Sequence, residues 1–177
     1  MPEGHTVHRI AKRFQKEFLG SKIEVSSPQG RFTDAGVISG RELTKAEAWG
    51  KQLFLHFDEL AIRVHLGIYG KWRFTSGDLP EVVGQVRARF VVPGMTADLR
   101  GPTACEVLDT EGIRLVQSKL GPDPLRPDRK GHEKERFISK LTSRKTSVGQ
   151  QLMDQSVIAG IGNVYRAELL FRSAINP

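Results

Sequence analysis

Cysteine is almost missing from this chain. Cys105 is the only one in 177 residues, which excludes an internal disulfide and any four-cysteine zinc site. The five histidines, His5, His8, His56, His65 and His132, show no metal-ligand spacing, so no metal and no cofactor is expected. No apolar run approaches the ~20 residues that a membrane-spanning helix requires, and no membrane partner is expected. The opening MPEGHTVHRIAKRF lacks the apolar stretch of a secretory signal. Repeats and low-complexity tracts are missing too. These absences together predict a reducing, cytosolic compartment. What is present is positive charge: 27 Lys and Arg stand against 20 Asp and Glu, a formal charge of +7, which suits a polyanionic partner. A hydrophobic share of 38% with 27% charged residues is that of a globular protein.

Val7, Ile10, Ala11, Phe14 and Phe18 recur at helical spacing and predict a helix to about Leu19, stopped by Gly20. The period then changes. Runs rich in Val, Ile and Phe at Lys22–Ser26, Glu42–Trp49, Lys51–Phe57, Ala61–His65, Lys71–Phe74, Val86–Val92 and Ala104–Leu108 predict strands. Alternation in Val86-Arg87-Ala88-Arg89-Phe90 predicts a sheet with two arginines on a wet face and apolar groups on the other. Three prolines within Leu120–Pro127 end the strand pattern and mark a boundary. Beyond it, His132–Leu141, Ser147–Gln155 and Asn163–Ser173 read as helices. Two units follow, 1–120 rich in strands and 121–177 helical.

Four stretches carry possible chemistry. Pro2 follows the initiator Met1, and removal of Met1 exposes its nitrogen as a secondary amine. An α-amino group titrates near ~7.7–8.0, so a fraction is unprotonated at neutral pH and able to attack an electrophilic carbon. Glu3 beside it is a carboxyl able to move protons. Pro and Glu are equally ordinary residues of a first helical turn. In Gln155–Tyr165, Gly160, Gly162 and Asn163 lie between two helices and can aim N–H groups at an anion such as phosphate, or serve only as turn and cap. Lys51, after Trp49-Gly50, begins a hairpin strand at a sheet rim, where a lysine is usually just solvated. Ile68 and Tyr69 stand between Gly67 and Gly70 in a tight loop that either pushes them outward as wedges or packs them inside. Cys105 reads as a small buried hydrophobe.

The order and spacing of MPEG, WGK, HLGIYG, LGPDPL and DQSVIAGIGNVYRAELLF resemble the formamidopyrimidine-DNA glycosylase and endonuclease VIII family over essentially the whole chain. The resemblance implies an α+β fold: an N-terminal β-sandwich with flanking helices, then a helical helix-two-turn-helix domain, with DNA between them. It implies a bifunctional DNA glycosylase and AP lyase of base-excision repair acting on damaged double-stranded DNA by β,δ-elimination, as a monomer of the bacterial, nucleoid-associated cytoplasm. Pro2 is then the amine that attacks C1′ and forms an imine with the opened sugar. Glu3 is the proton donor and acceptor, and Lys51 assists base loss and holds a phosphate. Asn163, with Gly162 before it, grips backbone phosphate, and Ile68 and Tyr69 enter the stack when the lesion is flipped out. PEGHT at the start is closer to the endonuclease VIII branch, and Asp98–Thr103 stands where the purine-specific branch carries a double-arginine-phenylalanine loop, so oxidised pyrimidines are the expected substrates.

Two departures matter. Thr6 occupies the place of the family's acidic residue after the catalytic pair, and the family's zinc finger does not follow the last motif. The expectation is a fragment or truncated form that keeps the nucleophile and binds DNA weakly. A binding-only relic, gripping phosphate through the basic helix, the arginine face and Asn163, is the alternative. A helical protein-interaction module fits the charge and the motif order poorly.

Overall fold

Every apolar residue of the first helical stripe has somewhere to go. The computed structural model describes residues 2–176, so the expected removal of Met1 concerns a residue outside that range. Helix α1 (Gly4–Glu17) buries Val7, Ala11 and Phe14, one side of a 3.6-residue period, while Arg9, Lys12, Arg13 and Lys16 stay exposed. The Phe14 ring meets those of Phe18, Trp72, Phe74 and Phe90 with centroids 4.9–5.9 Å apart. Gly20, at φ +75°, turns the chain out of the helical region.

Strands β1 (Glu24–Ser26), β2 (Lys45–Trp49), β3 (Gln52–Phe57), β4 (Leu60–His65), β5 (Lys71–Ser76), β6 (Ala88–Val92), β7 (Met95–Arg100) and β8 (Ala104–Leu108) form two antiparallel four-stranded sheets. One has the order β1-β6-β7-β5 and the other β2-β3-β4-β8. Val25, Phe90 and Leu99 from the first and Leu53, Leu55 and Ile62 from the second share one core with α1. This is the β-sandwich implied by the motif order. Short helices α2 (Ala35–Ile38) and α3 (Thr110–Ser118) flank it, and α4 (His132–Thr142), α5 (Val148–Met153) and α6 (Asn163–Arg172) follow. The last three share a small cluster of Leu152, Ile158, Ile161 and Leu170. Among the described residues no helix is long and apolar enough to cross a membrane.

The expected wet arginine face is corrected. Ala88 and Phe90 do face the core, but Arg89 is only 5% exposed. It lies opposite Asp98 on β7 and donates to both carboxylate oxygens at 2.7 and 2.9 Å, and to the Pro80 carbonyl at 2.7 Å. Arg87 is half-buried and donates to Gln29. This face therefore offers no pair of free guanidinium groups for phosphate. Strand β7 alternates Met95, Ala97 and Leu99 with Thr96, Asp98 and Arg100, a strand period without any Val, Ile or Phe, and its Thr96 and Asp98 are buried all the same. Helix α3 escapes a hydropathy reading because Gly112 sits inside it, although Asp109 caps it by accepting from the Gly112 N–H at 2.8 Å.

On the outer side of β2, Glu47 accepts from His56 at 3.1 Å, Lys45 at 2.9 Å and Arg126 at 3.2 Å. The hydrogen bond from His56, opposed by burial and reinforced by Lys45 and Arg126, holds its carboxyl at about 2. The folded carboxyl is thus the stronger acid, so its stabilisation is complete above the ordinary value of 4.5 and is lost as pH falls toward about 2. Glu47→Gln should flatten the pH dependence of Tm in that window and leave it unchanged above about 5. Thermal melts of both proteins across that range provide the check.

Candidate active site

The start of α6 carries backbone N–H groups with no partner inside the helix. Glu3, 159 residues away in sequence, supplies it. Its carboxylate accepts from the N–H of Gly162 at 3.1 Å, Val164 at 2.8 Å and Tyr165 at 3.3 Å. The group is 1% exposed. Gly162 makes this approach possible, since a Cβ there would lie 2.6 Å from the Glu3 carboxyl carbon. The adjoining Gly4 N–H donates to the Gly160 carbonyl at 2.8 Å, so the first helix and the turn before α6 are stitched backbone to backbone. Gln155 braces that turn by accepting from the Gly160 N–H at 2.9 Å and donating to the Ile161 carbonyl at 2.8 Å.

A third segment converges on the same point. The β2–β3 hairpin turns at Gly50, φ +57°, whose Cβ would come within 2.7 Å of the Ala159 Cβ and 2.9 Å of the Gly160 nitrogen. The next residue is Lys51, half-buried. Burial pushes its amine below the ordinary lysine range, and the nearby Glu3 carboxylate offsets this only in part. The amine therefore loses its proton more readily than a solvated lysine. The Lys51 carbonyl lies 3.1 Å from His65 Nδ1, which ties the turn to β4. Lys51 is thus part of the junction rather than a solvated rim lysine.

Pro2 precedes Glu3 and borders a groove of roughly 330 Å³ lined by Thr6, Arg9 and Arg13 on α1 and by Leu66, Lys71 and Trp72 on the β4–β5 side. Three cations around an apolar floor suit a ligand with both negative charge and flat apolar surface. Ile68 and Tyr69 are 62% and 83% exposed at the tip of the loop, closed by a Gly70 N–H to Leu66 carbonyl bond of 2.9 Å. Of the two conformations open to this loop, the outward one is adopted. The β7–β8 connection lies against it, with Thr103 packed on Gly67. Asn163 is the first residue of α6 and is exposed, two positions before Tyr165.

Pro2, Glu3, Lys51 and Gly162 are therefore gathered at one junction, with Asn163 at its edge. Ile68 and Tyr69 stand on the adjoining β4–β5 loop. Sequence reasoning missed His8, Asp123 and Arg126. Asp123 lies between two prolines in the segment that reads only as a boundary, and the available signal was His8, one helical turn beyond Gly4 on the same side of α1. Burial pushes the Cys105 thiol up to about 12, so it is no nucleophile at neutral pH. Among the described residues no group of three or more His, Cys, Asp or Glu is placed to hold a metal.

Comparisons with known proteins show the family to which the chain belongs. The family described as formamidopyrimidine-DNA glycosylase N-terminal domain matches residues 1–105, and the formamidopyrimidine-DNA glycosylase H2TH domain matches residues 120–177. The chain is 51% identical over 183 residues to Endonuclease 8 1 of Mycobacterium tuberculosis, covering 100% of this chain and 67% of that protein. It is 30% identical over 192 residues to formamidopyrimidine-DNA glycosylase of Moorella thermoacetica, covering 100% of this chain and 68% of the relative. Among solved structures, Lactococcus lactis Fpg in complex with abasic-site DNA superposes with a TM-score of 0.78 at 22% identity, covering 100% of this chain and 68% of that one. The wild-type enzyme of that species with DNA containing N7-benzyl-Fapy-dG superposes with a TM-score of 0.82, also at 22% identity, covering 99% and 69%. At that identity the likeness is one of fold.

Proposed function

Because this chain belongs to the formamidopyrimidine-DNA glycosylase and endonuclease VIII family, DNA glycosylases of base-excision repair, we propose that it removes damaged bases from double-stranded DNA and nicks the strand by β,δ-elimination through an imine at Pro2. The observation that carries this reading is the Glu3 carboxylate, directly after Pro2, held by three N–H groups of the α6 start with Lys51 beside it. The Pro2 nitrogen, freed of Met1, donates its lone pair to C1′ as the bond from C1′ to the base breaks. The base departs with the proton of the amine N–H, and Glu3 as the acid protonates the ring oxygen O4′, so that the sugar opens to leave the iminium and the Glu3 carboxylate. That cation acidifies the 2′ hydrogen, and Glu3 removes the proton while the 3′ phosphate leaves. A second elimination expels the 5′ phosphate, and water returns the amine.

Each residue has a physical reason for its place. Fixed N–H donors hold Glu3 in one orientation, so little reorganisation is needed when the proton moves. Lys51, made less basic by burial, is suited to assist base loss and then to hold a phosphate. Arg9, Arg13 and Lys71 flank the groove beside Pro2 and give the DNA backbone its counter-charge. Asn163 at the α6 start serves phosphate, and the exposed Ile68 and Tyr69 fill the gap left by the everted nucleotide. Oxidised pyrimidines are the favoured lesions on the PEGHT start.

Borohydride trapping tests the reading, with an oligonucleotide carrying one abasic site or one dihydrothymine and the N-terminal residue checked by mass spectrometry. A shifted band mapping to Pro2, absent from protein that keeps Met1, is the expected result. Protein with a free Pro2 that binds the DNA yet gives no adduct would leave a binding-only protein.

A further inference from the structure

We propose that the linker Gly121–Arg126 is a brace that positions Lys51, with Asp123 and Arg126 as positioning residues. The linker grips consecutive residues of the hairpin that carries Lys51. The Gly121 carbonyl accepts from Trp49 Nε1 at 3.1 Å, and Asp123 Oδ2 accepts from the Gly50 N–H at 2.7 Å. Arg126 donates to the Ala48 carbonyl at 2.9 Å and to Glu47 at 3.2 Å, and its guanidinium stands 4.8 Å from the centre of the Trp49 ring. A two-residue hairpin turn needs none of this to close, because the Trp49–Gln52 pair already ends the ladder.

Asp123 is the centre of the brace. Its side chain is 1% exposed, a costly place for a carboxylate unless its lone pairs are taken up. They are: His8 Nε2 lies 2.7 Å from Oδ2, beside the Gly50 N–H, and the Leu125 N–H is 2.9 Å from Oδ1. A carboxylate only accepts, so His8 donates to it. Burial pushes the Asp123 carboxyl up, but these three hydrogen bonds outweigh it and hold the group below the usual range. One side chain thus joins α1, the hairpin and the linker.

The linker is also sewn to the turn that holds Glu3. The Gly121 N–H donates to the Gln155 carbonyl at 2.8 Å, and the Ala159 N–H donates to the Pro122 carbonyl at 2.8 Å. Pro122 and Pro124 stiffen the segment between these contacts. The position of Lys51 relative to Glu3 is therefore set by one stiff span that contacts both supports. Displacement by about 1 Å at such a site costs on the order of 100-fold in rate.

The inference rests on the proposed role of Lys51, and its test separates the two. Asp123→Asn keeps the shape and removes the charge, and Arg126→Gln, at a side chain 35% exposed, loosens the hairpin grip without emptying a buried site. In the DNA-free chain with 13C-labelled lysine, the Lys51 titration of each variant should move up toward the ordinary ~10.4 as the hairpin opens to water. Single-turnover release of dihydrothymine should fall ~10- to 100-fold. Trapping on a preformed abasic site, which needs the Pro2 amine and no base loss, should change less than ~3-fold. Asp123→Glu should recover part of the excision rate. An unmoved Lys51 titration in the folded variants overturns the brace. So does a parallel fall of excision and trapping together with Tm, which would make the linker mere scaffold. If the wild-type chain forms no adduct, the proposed function fails while the Lys51 titration still decides the brace.

Discussion

Glu3→Gln should lower single-turnover base excision by roughly 1,000-fold while DNA binding persists, because general acid–base catalysis contributes about 100- to 10,000-fold and an amide cannot take up or release a proton in this range. The substitution is isosteric, so the loss is chemical rather than steric. Its side effect on stability is readable too. Both carboxylate oxygens accept backbone N–H groups, Oε1 from Val164 and Oε2 from Gly162 and Tyr165. An amide turns one of these positions into a donor facing a donor, at a cost of about 1–3 kcal/mol for a buried mismatch. Excision measured beside a thermal melt separates the two effects. Excision within tenfold of wild type would remove Glu3 from the proton-transfer role.

Two glycine substitutions around the same junction should behave in opposite ways. Gly50→Ala places a Cβ 2.7 Å from Ala159 Cβ and 2.9 Å from the Gly160 backbone nitrogen at φ +57°, so overpacking and left-handed strain add. About 2–4 kcal/mol of lost stability is expected, visible as a fall in Tm on the order of 5–15 °C. At Gly162, φ is −129° and carries no such strain. The new Cβ would instead meet the Glu3 carboxyl carbon and Oε1 at 2.6 Å, and a side-chain carboxylate can move where a backbone cannot. Gly162→Ala should therefore keep most of its stability and lose ~100-fold in excision, the cost of moving a catalytic group by about 1 Å. Gly162→Ala that melts as low as Gly50→Ala, or that retains excision, would contradict this account.

How much of this was legible beforehand depends on the range over which a residue acts. Val7, Ala11, Phe14 and Phe18 declare a buried helical stripe within fifteen residues, and the strand runs from Glu42 to His65 declare themselves by short apolar runs carrying Phe54, Phe57, Ile62 and Val64. The pairing of Pro2 with Glu3, the tight Gly67–Gly70 loop and the glycines before Asn163 are likewise local facts, and their order along the chain sufficed to suggest the family. Strand β7 was hidden because Met95–Arg100 holds no Val, Ile or Phe, and only the tertiary structure shows its Asp98 buried against Arg89. Asp123 was hidden because its partners lie at positions 8 and 50.

Composition and periodicity by themselves determined a basic, β-rich body followed by helices, because the burial of an apolar side chain is a property of its own element. The tertiary structure alone decided that Glu3 meets the start of α6, that Lys51 lies half-buried beside Glu3, and that Arg89 is spent on Asp98 rather than free for phosphate. A buried polar group is tolerated only with its partner in place, and that partner is chosen by the docking of elements distant in sequence, which no local pattern records.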